Sequence, residues 1–192
     1  MTPKTKALTG LKITDADKGL VSAVFATFNV KDHDGDVTMP GAFVDGAKIR
    51  VSAYGHKSWE GLLPVGRGSI HQDAEKAWAE MEFFMDAPHA AETFAVVKGM
   101  AELQQWSYSL HNVVQEQGQW NGETANILKS IHVEEVSPVL LGAGIDTRTL
   151  AVKGRDLKFS EHVDAVVTDV DLLITRACEV KTLREGQGKS IG

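Results

Sequence analysis

The chain of 192 residues has a single cysteine, Cys178. One thiol excludes an intramolecular disulfide and any zinc site built on paired cysteines, and it suits a reducing compartment. Long apolar runs are missing too. No window approaches the roughly 18 apolar residues of a membrane-spanning helix, so no membrane span is expected. The first ten residues, Met1 to Gly10, hold two lysines and no apolar stretch, and no signal peptide is expected. A basic excess is also lacking. Lys and Arg total 20 against 26 Asp and Glu, a net charge of −6, which disfavours nucleic acid and anionic membranes as electrostatic partners. Five prolines and 18 glycines are near average usage, excluding collagen-like and low-complexity chains. No repeat with a solenoid or propeller period is visible.

What is present is enough for a core. A chain of this length, 43% apolar, buries roughly 70% of its unfolded surface. Residues 1–150 carry 13 basic and 19 acidic side chains, whereas residues 151–192 carry seven of each. This shift divides the chain into a domain over 1–150 and a C-terminal piece over 151–192.

The first part reads mostly as strands. Leu20–Phe28 is rich in Val, Ala and Phe and suits a strand buried on both faces. Over Ala77–Phe83, Ala77, Ala79, Met81 and Phe83 alternate with Trp78, Glu80 and Glu82, the pattern of a half-buried antiparallel strand. Gln104–Val114 reads as a strand with Trp106, Tyr108 and Leu110 on one side and Ser107, Ser109 and His111 on the other. Ile127–Val139 reads as another, ended or bulged near Pro138. Asp86 and Pro88 predict a helix start, with Ala91, Phe94, Ala95 and Val97 at helical spacing and Gly99 near its end. Pro40-Gly41-Ala42-Phe43 suggests a turn into a second short helix. Beyond it all, Ser160 would cap an amphipathic helix to about Leu183, with Val163, Val167, Val170, Ile174, Ala177 and Val180 as its apolar stripe. Arg184–Gly192 reads as a polar tail. The fold class is α+β.

Three chemistries deserve weighing. Asp32-His33-Asp34-Gly35-Asp36 has the look of a calcium loop, but the twelfth position from Asp32 is Phe43 rather than a bidentate Glu. A charged turn, with Gly35 at positive φ, explains it better. The seven histidines, 33, 56, 71, 89, 111, 132 and 162, form no HExxH and no zinc-finger spacing. Nucleophilic catalysis needs a hydroxyl, a base in reach and a group orienting the base. Ser107 and Ser109 are candidate nucleophiles, the histidines candidate bases, and Glu134 or Glu135 candidate orienting acids. Spacing alone does not choose among them, because such sites assemble in space. The chain has no GxSxG elbow, which disfavours an α/β-hydrolase.

Four segments, in order, resemble the tailed-phage prohead (capsid maturation) protease family. Asp34-Gly35-Asp36-Val37 followed by Pro40-Gly41-Ala42-Phe43 is similar to its "DGDvv.pGAF" pattern. Tyr54-Gly55-His56 with Pro64-Val65-Gly66 resembles "w.H….piG". Trp106-Ser107-Tyr108-Ser109-Leu110 resembles "lSiGf", and Glu135-Val136-Ser137-Pro138-Val139 resembles "EvS.V". Two departures stand out: Ser109 replaces the family glycine, and Leu141-Gly142-Ala143-Gly144 replaces the usual "PAN".

The resemblance implies a serine endopeptidase with a fold like the herpesvirus assemblins, a mainly antiparallel β-barrel flanked by helices, here with the C-terminal amphipathic helix added. It implies Ser107 as nucleophile, His56 as general base and Glu135 as the orienting third member, with Ser109, Glu134 and His132 as the alternatives. Backbone donors of Gly142, Ala143 and Gly144 would hold the oxyanion, and Arg148 would add charge. Activity would fall at acid pH as the base takes up a proton. No metal or organic cofactor is implied. The substrates would be the scaffolding segment of the major capsid protein precursor and the protease itself, inside the procapsid and in the host cytoplasm. The apolar stripe would fold back on the barrel, pair as a homodimer, or engage the scaffold region. The competing reading is a non-catalytic scaffold or assembly protein that keeps the fold; a metal-dependent hydrolase using dispersed histidines is a third.

Overall fold

The computed structural model describes residues 18–154 of the chain. The anticipated helix from Ser160 to Leu183 and the tail after it lie outside the described residues, as does Cys178.

Strand β1 (Gly19–Thr27) is the long apolar run anticipated from the sequence, and Val24, Phe25 and Ala26 are buried in succession. It is flanked on one side by β5 (Lys76–Phe83) and on the other by β10 (Arg148–Lys153), both antiparallel. β5 shows perfect alternation, with Ala77, Ala79, Met81 and Phe83 buried and the intervening residues partly exposed. A hairpin at Asp73 joins it to β4 (Gly66–Gln72), and β4 pairs in turn with β3 (Lys48–Val51). Strand β9 (Glu135–Val139) lies parallel to β3, and β6 (Gln105–Tyr108) lies antiparallel to β9. The seven-stranded order is therefore β10-β1-β5-β4-β3-β9-β6.

This sheet curls into a nearly closed barrel. The closing contact is made by Trp106 on β6. Its main-chain N–H donates to Thr147 Oγ1 (3.3 Å) and its indole Nε1–H to Thr149 Oγ1 on β10 (3.0 Å). A second sheet of three strands, β2 (Asp36–Thr38), β8 (Glu123–His132) and β7 (His111–Trp120), has β2 parallel to β8 and β7 antiparallel to it. The core between these parts gathers Phe25, Phe43, Ile70, Phe83, Phe94, Trp106, Leu128 and Val136.

Helix α1 (Pro88–Met100) buries Ala90, Ala91, Phe94 and Val97, and the Phe94 ring meets Phe83 edge-on with centroids 5.6 Å apart. Pro88 sits in its first turn as anticipated, whereas Asp86 does not cap it: the N-cap is Ala87, without a side-chain bond. No helix follows Pro40. A single turn, with Ala42 N–H donating to Met39 O (3.1 Å), drops Ala42 and Phe43 into the core.

Two long strands anticipated from the sequence are each two strands. Gln104–Val114 divides into β6 and β7, which belong to different sheets, and Leu110 is exposed rather than aligned with Trp106 and Tyr108. Ile127–Val139 divides between β8 and β9, again across two sheets. The strand does end near Pro138, at Val139, and Pro138 itself pairs with Trp106. Ser109 N–H donates to Glu135 O (3.1 Å), and residues an odd number of places along β9 direct their backbone groups away from β6. Pro138 is one of these, so its missing N–H removes no bond to β6.

Candidate active site

The site is built on the β6–β9 pair. Ser107 lies directly across from Ser137, and Tyr108 from Val136. Trp106, Tyr108 and Val136 project into the core, where Tyr108 packs edge-on against Phe25 and Phe43 at 5.2 and 5.4 Å. Burial pushes the Tyr108 phenol up to about 12, so it stays protonated beside Thr38. The alternation of a strand then puts Ser107, Ser137 and Glu135 together on the opposite face. Directly opposed side chains have Cβ atoms about 5 Å apart.

Over this face runs a short 3-10 segment, Tyr54–Glu60, which follows β3. It is braced at its start: Ser58 N–H donates to Ser52 Oγ (3.2 Å) and Ala53 N–H to Ser58 Oγ (3.0 Å). Within it Gly55 (φ 70°) and His56 (φ 60°, ψ 21°) adopt left-handed conformations. Glycine does so freely, while a residue with a Cβ is strained by about 1–2 kcal/mol. Two bonds to β9 oppose that strain. His56 N–H donates to Ser137 Oγ (3.0 Å), and His56 Nδ1 meets Glu135 Oε1 at 2.7 Å. The ring is about one-third exposed (32%), while Glu135 is almost fully buried (side chain 4%). With Nδ1–H donating to the carboxylate, the lone pair lies on Nε2, the nitrogen a general base uses. The second oxygen, Glu135 Oε2, is buried and has no partner among the described residues.

The residues named from the sequence fall into groups. His56 and Glu135 meet directly, from the 3-10 segment and β9, and Ser107 lies on the neighbouring strand β6, across from Ser137. Ser107 is half-buried, and its hydroxyl makes no hydrogen bond among the described residues. Catalytic hydrogen bonds often tighten only when substrate is bound. Ser109 is engaged: its Oγ accepts the Glu135 N–H (3.2 Å) and so ends the β6–β9 ladder. Glu134 turns outward, to Arg50 Nη1 (2.6 Å) and to His132 Nε2 (3.0 Å). His132 and then Arg50 hold its carboxyl below the usual range. His132 is thus committed to Glu134 and not to His56.

The loop after β9 lies against β6. A Cβ on Gly142 would come 3.0 Å from Trp106 O, so glycine permits the approach. The Gly142 N–H is already taken by Gln105 Oε1 (2.8 Å). Ala143 O accepts from His33 N–H (3.0 Å). In a trans peptide the next N–H, that of Gly144, points away from His33. Ala143 and Gly144 line a small cleft with Ser107, Tyr108 and Ile145. Arg148 is exposed, and its guanidinium donates to Asp146 O (2.9 Å).

Asp32 Oδ1 accepts the N–H groups of Asp34 (3.0 Å) and Asp36 (2.9 Å), with Gly35 at φ 88°. The segment is a side-chain-braced turn. The described histidines are scattered. His71 lies against Trp78, His111 stacks on Trp59 with centroids 5.5 Å apart, and His89 is on α1. No cluster of three or more metal-ligating side chains occurs among the described residues.

The sequence reading overlooked Ser137. The one available signal is its spacing: two places after Glu135 in a strand puts it on the same face. The left-handed His56 had no signal beyond the neighbouring Gly55.

Among known proteins, the family model of the caudovirus prohead serine proteases matches residues 7–162. No curated protein and no solved structure matches the chain. The family match spans most of the sequence, including β6, β9 and the 3-10 segment, and the chain belongs to the caudovirus prohead serine protease family.

Proposed function

We propose that this chain is an endopeptidase of procapsid maturation in which Ser107 is the nucleophile, His56 the general base and Glu135 the group that orients the base. The observation that carries the reading is the 2.7 Å contact of His56 Nδ1 with Glu135 Oε1, seated on the strand pair that bears Ser107. A carboxylate there fixes the tautomer and stabilises the imidazolium that forms during reaction.

His56 Nε2 takes the Ser107 proton as Oγ attacks the peptide carbonyl. The tetrahedral oxyanion is met by the Ala143 and Gly144 N–H groups, since that of Gly142 is held by Gln105. The C–N bond then breaks, and the leaving amine takes its proton from Nε2. Water, deprotonated by the same nitrogen, hydrolyses the ester and restores Ser107. The family gives capsid proteins as the substrate class and the phage procapsid as the setting. Within it, the substrates of this reading are the scaffolding segment of the major capsid protein precursor and the protease itself.

The test is intact-mass analysis over time of wild type and Ser107→Ala, each mixed with the matching capsid-protein precursor. Clipping by wild type alone supports the reading. Equal clipping by both moves the nucleophile elsewhere, and Ser109→Ala with chelation is examined next. If neither clips while both bind the precursor, the chain is a scaffold that keeps the fold.

A further inference from the structure

We infer that Ser137 is a positioning residue for the base: its hydroxyl holds the His56 backbone in the left-handed conformation that lays the imidazole on Glu135. The inference rests on the triad reading above and adds a fourth side chain to it.

The Ser137 hydroxyl is fully buried, and both of its functions are used. Its oxygen accepts the His56 N–H at 3.0 Å. Its proton has two main-chain acceptors in reach, Ala53 O at 3.2 Å and Pro138 O at 3.1 Å. Such a hydroxyl has a fixed orientation and does not serve as a nucleophile, although it stands directly across from Ser107. His56 needs the anchor. A histidine at φ 60° persists only where its surroundings impose that conformation. Glu135 and Ser137, two places apart on one face of β9, impose it together: the carboxylate takes the ring and the hydroxyl takes the main chain.

Without the Ser137 oxygen, the His56 N–H has no acceptor on β9. Relaxation of φ toward ordinary values then swings the whole side chain, because the ring moves with the Cα–Cβ bond. A displacement of even about 1 Å at such a group costs on the order of 100-fold in rate. Substrate contacts elsewhere are untouched, so the loss falls on kcat.

The variants are Ser137→Ala and Ser137→Thr, with Glu135→Gln as reference. Amide exchange of wild type, read by NMR, comes first and needs no variant. A protected His56 N–H is expected, and exchange at the rate of an open loop overturns the inference. Next, the low-field imidazole N–H resonance of a histidine bonded to a carboxylate is followed. It is expected in wild type, lost in Glu135→Gln, lost or displaced in Ser137→Ala, and restored by Ser137→Thr. An unchanged resonance in folded Ser137→Ala overturns the inference. In peptide cleavage, Ser137→Ala should lose about 10- to 100-fold in kcat with KM within twofold. A loss confined to the amount of folded protein, with normal kcat per folded molecule, also overturns it. If Ser137→Ala does not fold, wild-type amide exchange and the Ser137→Thr kinetics decide. The two NMR measurements involve no reaction, so they remain valid if Ser107→Ala keeps its activity and the protease assignment fails.

Discussion

His56 and Glu135, 79 positions apart, meet at 2.7 Å, and the carboxylate that receives the ring has its other oxygen buried without a partner. Under the proposed mechanism, these two facts set stability against reaction at one residue. A buried charge with an orphaned oxygen is costly to the fold, while the same charge is what a developing imidazolium needs. Glu135→Gln keeps the shape, removes the charge, and lets the amide present either an acceptor or a donor to Nδ1. Cleavage of the precursor should drop by about 10²–10⁴-fold in kcat, while the melting temperature holds or rises. Parallel kinetics and thermal unfolding check this; a variant that melts lower and cleaves normally would contradict both halves.

Much of the scaffold for this pair was legible in the sequence, and the limits were physical. β5 declares itself because Ala77, Ala79, Met81 and Phe83 face one core with solvent opposite. The break between β8 and β9 does not. Ile131, Val133 and Glu135 are buried in one unbroken alternation, so the change of sheet occurs without a change of pattern. The β6–β7 break is hidden likewise: Ser107, Ser109 and His111 keep a strand's rhythm across it, and the positive φ falls on Asn112. The candidate site was proposed from the four family-like segments and not from spacing. Ser107 and Glu135 lie on strands set side by side by register, which the whole sheet decides, and His56 reaches Glu135 from the 3-10 segment after β3.

The loop behind Ser107 yields a second prediction. Gly142 passes so close to β6 that an added Cβ would sit 3.0 Å from Trp106 O, the carbonyl joined to Ser107 N. That oxygen belongs to a strand edge bonded through Thr147 and Thr149, so the loop rather than the strand should move. Gly142→Ala is expected to shift the Ala143 and Gly144 N–H groups away from the proposed oxyanion position. A fall of about 10-fold or more in kcat, with KM little changed, should accompany a stability loss below about 1 kcal/mol. Steady-state kinetics and a denaturant titration measure the two effects separately.

The turn at Asp73 gives a stability prediction at acid pH. Partial burial alone would raise this carboxyl, but the N–H groups of Glu75 (2.8 Å) and Lys76 (2.9 Å), with the Lys76 ammonium, outweigh it and hold it below its ordinary 3.8. A carboxyl lowered in the fold adds stability above its unfolded value and loses it as pH falls through the folded one. Asp73→Ala should therefore cost about 1–2 kcal/mol near neutrality through the two lost turn bonds. The gap to wild type should narrow below about pH 4. Urea titrations at pH 7 and pH 3 give the comparison.

Asp32 shows the opposite sign, and the difference is instructive because it too braces a turn. Its Oδ1 accepts the Asp34 and Asp36 N–H groups, yet its carboxyl lies above the ordinary 3.8. Burial is the main cause, and the charges of Asp36 and Asp34 add to it, outweighing the two backbone bonds. A group raised in the fold binds its proton more tightly there than in the unfolded chain. This group alone therefore stabilises the fold progressively as pH drops through its folded value toward 3.8. Asp32→Asn imitates the protonated state at every pH and keeps the oxygen that accepts both amides. It should be more stable than wild type at pH 7, and its advantage should shrink as pH falls. Asp32→Ala discards the acceptor and should lose about 1–2 kcal/mol. Because His33, the next residue, holds Ala143 O, the alanine variant should also slow cleavage while the asparagine variant does not. An asparagine variant less stable than wild type at pH 7 would mean that the Asp32 charge itself is what the turn needs.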